Sequence, residues 1–172
     1  MATLKINTNE FKYYGLIGGE LQIKAYIYLA CMIVNQGNVN EASKLLAETI
    51  AIETKNGKAQ DFSANYGEGL TQFDSGTFNY IRQYFSASKW DNLANNIKAL
   101  LLVDIRNAQY TDLRKSPLLS IIYARLLYYT INEPIPLTKD GRYDYYKKYY
   151  NSYKGASTYA KYIESSKIAV FS

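Results

Sequence analysis

Between Asn38 and Gly57 the chain carries the start, the body and the stop of one helix, and its other long segments follow the same pattern. Asn38 with Glu41 makes a capping-box-like start, in which the Asn oxygen accepts from first-turn amides and Glu41 reaches back. Positions 42, 45, 46, 49, 50 and 53 then recur at helical spacing on one face, to about Lys55. Asn56-Gly57 supplies the stop. The same logic predicts helices over Gly19–Asn35, 76–86, Trp90–Ala108, Asp140–Tyr150 and Ser157–Ser166. Ser116-Pro117 is a good N-cap and N1 pair for a strongly apolar helix to about Ile131. The prolines of "NEPIPL" make that stretch a connection. Residues 58–75 read as a loop region with a short hairpin, and residues 1–15 as a loose N-terminal arm. The expected fold is mainly α with little strand, in one helical domain over 1–172.

Composition narrows the chemistry. The 172 residues suffice for one domain with a real core. The chain has one cysteine, Cys31, and no histidine. That excludes Ser-His-Asp triads, Cys-His dyads and His-containing zinc sites, and no metal or cofactor is expected. Carboxylates, Tyr, Lys, Ser, Thr or backbone must carry any catalysis. The net charge of +5 is a mild surplus that favours an anionic partner. Nineteen tyrosines offer flat apolar faces with polar tips, suited to stacking on sugars or bases as well as to packing. The N-terminus lacks a continuous apolar stretch behind a basic start, so no signal peptide is expected. "LQIKAYIYLACMIV" and "LLSIIYARLLYY" are interrupted by Lys or Arg and are too short to span a bilayer. A cytoplasmically made protein without a membrane span is expected.

Glu53 continues the apolar stripe of its helix, while Glu41, Lys44 and Glu48 fall on the side expected to face water. Partial burial and the negative end of the helix both favour the protonated form of Glu53, the form a general acid needs. Downstream, "YGEGLTQF" sets Gly67 and Gly69 around Glu68. Glycines there allow positive φ and close backbone approach, and Gln72 can donate and accept toward an acetamido or hydroxyl group. Asp104 lies near an apolar face and is expected to pair with Arg125 or Arg106. Trp90 and the "LLSIIYARLL" helix are expected in the core.

These pieces resemble the lysozyme superfamily, in particular the soluble lytic transglycosylase and goose-type lysozyme branch. That branch has a helix ending in a catalytic Glu followed by a small polar residue, as in Glu53-Thr54. It has a G-L-M-Q-like segment lining the sugar groove, matched by Gly69-Leu70-Thr71-Gln72 with Thr71 in place of methionine. It has a Tyr-Asn followed by glycines, matched by Tyr150-Asn151 with Gly155. The matches span residues 50–155.

The resemblance implies a lysozyme-like fold and a peptidoglycan glycan strand as partner. Glu53 would protonate the oxygen of the N-acetylmuramic acid–N-acetylglucosamine bond, with no cofactor. Gly69, Leu70, Thr71, Gln72, Tyr66, Tyr150 and Asn151 would bind substrate. A transglycosylase needs no second carboxylate, because the muramic 6-hydroxyl attacks and leaves a 1,6-anhydro product. A hydrolase would use one to position water; Glu68 is the first candidate, ahead of Asp61 and Asp74. The size and lack of a leader fit a phage-encoded, virion-associated lysin, with other virion proteins as partners. Two other readings stand beside it. One is a lysozyme-like structural protein of a virion with an inactive groove. The other is a basic, tyrosine-rich nucleic-acid binder centred on "YDYYKKYYNSYK"; nucleic acid is not the partner expected.

Overall fold

The computed structural model describes residues 12–59, 67–152 and 155–171. Among the described residues there are eight α-helices: α1 (Gly19–Ile33), α2 (Val39–Thr54), α3 (Ser75–Tyr84), α4 (Asp91–Leu101), α5 (Asp112–Lys115), α6 (Pro117–Tyr129), α7 (Lys139–Tyr146) and α8 (Tyr159–Ser166). There is no strand among the described residues; Glu68 and Phe73 form one isolated antiparallel bridge. The fold is therefore mainly helical, in one domain. No helix among the described residues is long and apolar enough to cross a membrane.

The caps that the sequence signals at Asn38 and Ser116 are present, and Asp74 adds another. Asn38 Oδ1 accepts from Asn40 N at 2.9 Å, Asp74 Oδ1 from Thr77 N at 2.9 Å, and Ser116 Oγ from Leu119 N at 3.2 Å. Each satisfies a first-turn amide that the helix leaves without a partner. Glu41 does not reach back to its cap; its carboxylate is taken by Arg142 and Lys44.

The expected helix over Trp90–Ala108 ends earlier. Leu102 adopts a left-handed conformation with φ 56°. Asp104 Oδ1 then accepts from the amides of Arg106 and Asn107, at 3.2 Å each. This local side-chain alternative to helix bonding turns the chain away. Asp104 pairs with Lys98 at 2.7 Å, whereas Arg106 pairs with Asp91 and Arg125 stays buried against Gln36 O. The Lys98 ammonium and then the Asn107 amide hold the Asp104 carboxyl well below the usual carboxylate range. Trp90 is only partly buried, packing on Phe85 and Tyr129 at the rim of the core.

α2 lies at the centre, in contact with α1, α6, α7 and α8. α6 is buried on nearly every side, from Leu119 to Tyr128. Being surrounded, α2 buries its polar side as well. Glu48, expected in water, is 1% exposed and Glu41 is 7% exposed. Arg142 of α7 supplies what they require. Its Nε and Nη2 fork onto the two oxygens of Glu48 at 2.7 and 2.8 Å. Its Nη1 reaches Glu41 at 2.9 Å, and Tyr162 of α8 donates to Glu48 Oε2 at 2.7 Å. One buried network thus fixes α7 and α8 on α2.

Candidate functional site

Glu53 sits on the last turn of α2, half-buried. It borders a cavity of about 1230 Å³. Four chain segments meet there. The end of α2 brings Glu53, and the turn after Gly67 brings Gln72 and Asp74. The π-helical turn Lys147–Asn151 brings Tyr150 and Asn151, and the segment leading into α8 brings Ser157.

The residue after Glu53 holds the first two segments together. Thr54 Oγ1 donates to Leu70 O at 2.8 Å and accepts from Gly57 N at 3.0 Å. A small hydroxyl at that position locks the end of α2 to the 67–73 turn. Tyr146, wholly buried, brings in the third segment: its hydroxyl donates to Glu53 Oε1 at 2.6 Å and lies 3.1 Å from Ser157 Oγ. Burial, and then the neighbouring Glu53 charge, hold the Tyr146 hydroxyl far above the ordinary tyrosine range. It therefore stays a donor at every working pH, and Oε1 of Glu53 stays its acceptor.

Sequence reasoning passed over Tyr146. The signal was in the spacing: Tyr146 is one helical turn before Tyr150, and their rings stack at 5.9 Å. Tyr150 lines the cavity, but its hydroxyl donates to Thr71 O at 2.7 Å. Its ring also packs on Phe73 and Tyr128. Asn151 lines the cavity too, with Oδ1 accepting from Lys147 Nζ at 2.9 Å. The Lys147 ammonium also donates to the carbonyls of Gly155 and Ser157, at 2.7 and 2.8 Å. It is a clamp on the groove wall rather than a free charge for an anionic polymer.

The glycine turn is placed differently from expectation. Gln72 borders the cavity, but its amide is held inside: Nε2 donates to Gly69 O at 3.0 Å and to Tyr14 Oη at 3.2 Å, and Oε1 is buried. Gly69, Leu70 and Thr71 do not line it. Leu70 is core, and Thr71 is buried with its hydroxyl 2.9 Å from Ser120 Oγ. Gly69 has φ +75°, and a Cβ there would stand 2.5 Å from Leu113 O. The turn binds the rest of the protein through these three residues and borders the cavity with Gln72. Gly69→Ala should therefore cost about 2–5 kcal/mol, the sum of left-handed strain and overpacking. Urea unfolding checks this, and a change below 1 kcal/mol would refute the tight docking.

Glu68, the first candidate for a second carboxylate, is 5% exposed and outside the cavity lining. Arg114 takes its two oxygens at 2.6 and 2.9 Å, so it serves to anchor α5. Among the described residues, the carboxylates that border the cavity besides Glu53 are Asp74, whose Oδ1 caps α3, and Glu164. Tyr66 and Asp61 lie outside the described residues.

Backbone strain gathers at this cavity. Six described non-glycine residues have φ in the left-handed region, and Lys55 (49°), Gln72 (47°) and Ser152 (61°) all line it. Ser152, with ψ 159°, occupies a region that costs a residue with a Cβ about 1–3 kcal/mol. It directly follows the π-helical turn, another irregularity found often at functional sites. Comparison with protein-family models, with curated proteins and with solved structures finds no match.

Proposed function

We propose that this protein is a peptidoglycan-cleaving glycosidase whose single acid/base is Glu53. The observation that carries this reading is the setting of Glu53. A carboxylate at the end of a central helix borders a large cavity, with one oxygen accepting from a buried tyrosine and with Gln72 and Asn151 in the same lining.

Glu53 gives its proton to the glycosidic oxygen as the C1–O bond breaks, and the sugar passes through an oxocarbenium-like state. The carboxylate left behind then takes the proton of the attacking hydroxyl. Because Glu68 is bound by Arg114, we favour intramolecular attack by the muramic 6-hydroxyl, which needs no second carboxylate. We place the protein on a phage particle, as the component that opens the wall at infection.

Tyr146 acts here through Glu53, as a positioning residue. Tyr146→Phe removes a hydrogen bond to a charged group, worth about 1.5–3 kcal/mol. It should slow cleavage about tenfold or more, at about 1.4 kcal/mol per decade. The pH–rate profile should also move to higher pH, since the lost donor favoured the ionised carboxylate. An unchanged profile with unchanged rate would remove Tyr146 from the mechanism.

The test of the function is digestion of purified peptidoglycan, with the released fragments weighed by mass spectrometry. Anhydro-muropeptides are the expected product. Reducing-end products would mean water attack and turn attention to Asp74. No release from several wall types would sink the glycosidase reading and favour a structural role for the same fold.

A further inference from the structure

α1 is apolar on two opposite sides. Ile23, Ile27, Ala30 and Cys31 are buried, where the helix packs on α2 and α6. Leu21, Ala25, Tyr28, Leu29 and Met32 are exposed, Leu21 by 81%. At about 100° per residue these five lie on one face, opposite the buried one. A helix apolar all round is ordinarily buried all round.

The other polar side chains of α1 are turned to their own chain. Glu20 Oε1 accepts from Lys58 Nζ at 2.7 Å and from Asn56 Nδ2 at 3.3 Å. Lys24 Nζ stands 5.0 Å from the centre of the Phe171 ring. Gln22 Oε1 accepts from Gly18 N at 3.0 Å, and its Nε2 donates to Tyr26 Oη at 2.6 Å. Apart from the Tyr28 hydroxyl, the outer face offers a partner apolar surface alone. A helix that lies on a membrane carries several basic residues on its polar side. α1 has one, Lys24, set against Phe171.

The spacing of the face fits another helix. Positions 21, 25, 28 and 32 recur in steps of four, three and four, as in a two-helix seam. Side-chain size selects the partner. In a parallel pair of α1 helices, Ala25 would meet Ala25 across a gap and Tyr28 would crowd Tyr28. In an antiparallel pair, 25 lies opposite 28 and 21 opposite 32. Each alanine then faces a tyrosine, and each leucine a methionine, so the seam is complementary to itself. The five side chains expose on the order of 500 Å² per copy. Two copies would cover roughly 1,000 Å², the least that a specific interface needs.

We infer that α1 is a self-association face. Two copies of the chain pair through antiparallel α1 helices about a two-fold axis, and Ala25 of each seats Tyr28 of the other. This stands independently of the glycosidase reading. An interface of this size makes a reversible dimer, half formed on the order of ten micromolar.

Sedimentation velocity of the whole chain across that range is the test. Dimer should appear as concentration rises. Ala25→Glu sets a carboxylate in the middle of the seam without touching the core. It should raise the dissociation constant at least about 100-fold and leave the melting temperature of the dilute protein unchanged. Disulfide trapping reads the orientation. Leu21→Cys and Met32→Cys proteins, mixed and oxidised, should join through a 21–32 bond. Leu21→Cys alone should not join to itself, since the two copies of position 21 lie about 16 Å apart along the axis. A chain that stays monomeric at the highest concentration would overturn the inference. If its Leu21→Cys thiol also resisted labelling, residues 1–11 of the same chain would be what covers the face. A dimer that survives Ala25→Glu would overturn it by placing the contact elsewhere, and a 21–21 disulfide would overturn the antiparallel pairing.

Discussion

Replacing Glu53 by glutamine should cut the release of muropeptides by at least about 10³-fold, in the upper part of the range for loss of one acid/base group. The size of the effect follows from how few groups surround the reaction. On the proposed glycosidase reading, with no histidine in the chain and Glu68 held by Arg114, Glu53 both protonates the leaving oxygen and later takes a proton from the nucleophile. Glutamine does neither. At about 1.4 kcal/mol per decade, the loss corresponds to roughly 4 kcal/mol of transition-state stabilisation.

The fold should survive this change. Glutamine keeps an oxygen where Tyr146 donates, so the 2.6 Å contact remains as a neutral hydrogen bond. Stability should move by about 1 kcal/mol or less. That separates loss of chemistry from loss of structure, which an alanine at this half-buried position would confuse. Equal release from wild type and variant would show that another cavity carboxylate, Asp74 or Glu164, does the work.

Local signals announced some of this architecture and not the rest. Helix starts were readable because a cap is a short-range interaction: Asn38 and Ser116 bond amides two or three residues on. The facing of Glu53 was readable because it continues a stripe that helical geometry imposes. The facing of Glu48 was not. Periodicity assumes one wet side per helix, and α2 has neighbours on several sides. Its buried glutamate is answered by an arginine 94 residues away, which no local pattern encodes. The glycine turn misled for a related reason. Its composition speaks of close approach, but the approaching group at Gly69 is the backbone of Leu113 rather than a ligand. Of the tyrosines, the one that bonds Glu53 was hidden among equals, since Tyr145, Tyr146, Tyr149 and Tyr150 are alike in sequence and only packing tells them apart.

Arg142→Ala should destabilise the protein by about 3–5 kcal/mol, the cost of leaving a buried carboxylate without its partner. Glu48 is 1% exposed and Arg142 is 3% exposed, so water does not replace what is lost. The damage should also be directional. Arg142 and Tyr162 are the points at which α7 and α8 grip Glu48, and those helices lead into the π-helical turn and the Ala160–Ser165 wall of the cavity. Binding of a glycan should therefore weaken even below the unfolding transition. Urea unfolding reads the first effect as a lower midpoint at constant slope. Arg142→Lys separates charge from shape: a lysine restores one cation but cannot fork onto both oxygens of Glu48, so it should recover only part of the loss. A Glu48→Leu, Arg142→Met pair removes both charges together and should be far less harmful than Arg142→Ala alone, because no uncompensated ion remains. If the single and double variants were equally unstable, the uncompensated charge of Glu48 would not be the source of the loss. If Arg142→Ala cost less than 1 kcal/mol, the buried network would not be what holds the groove walls on the central helix.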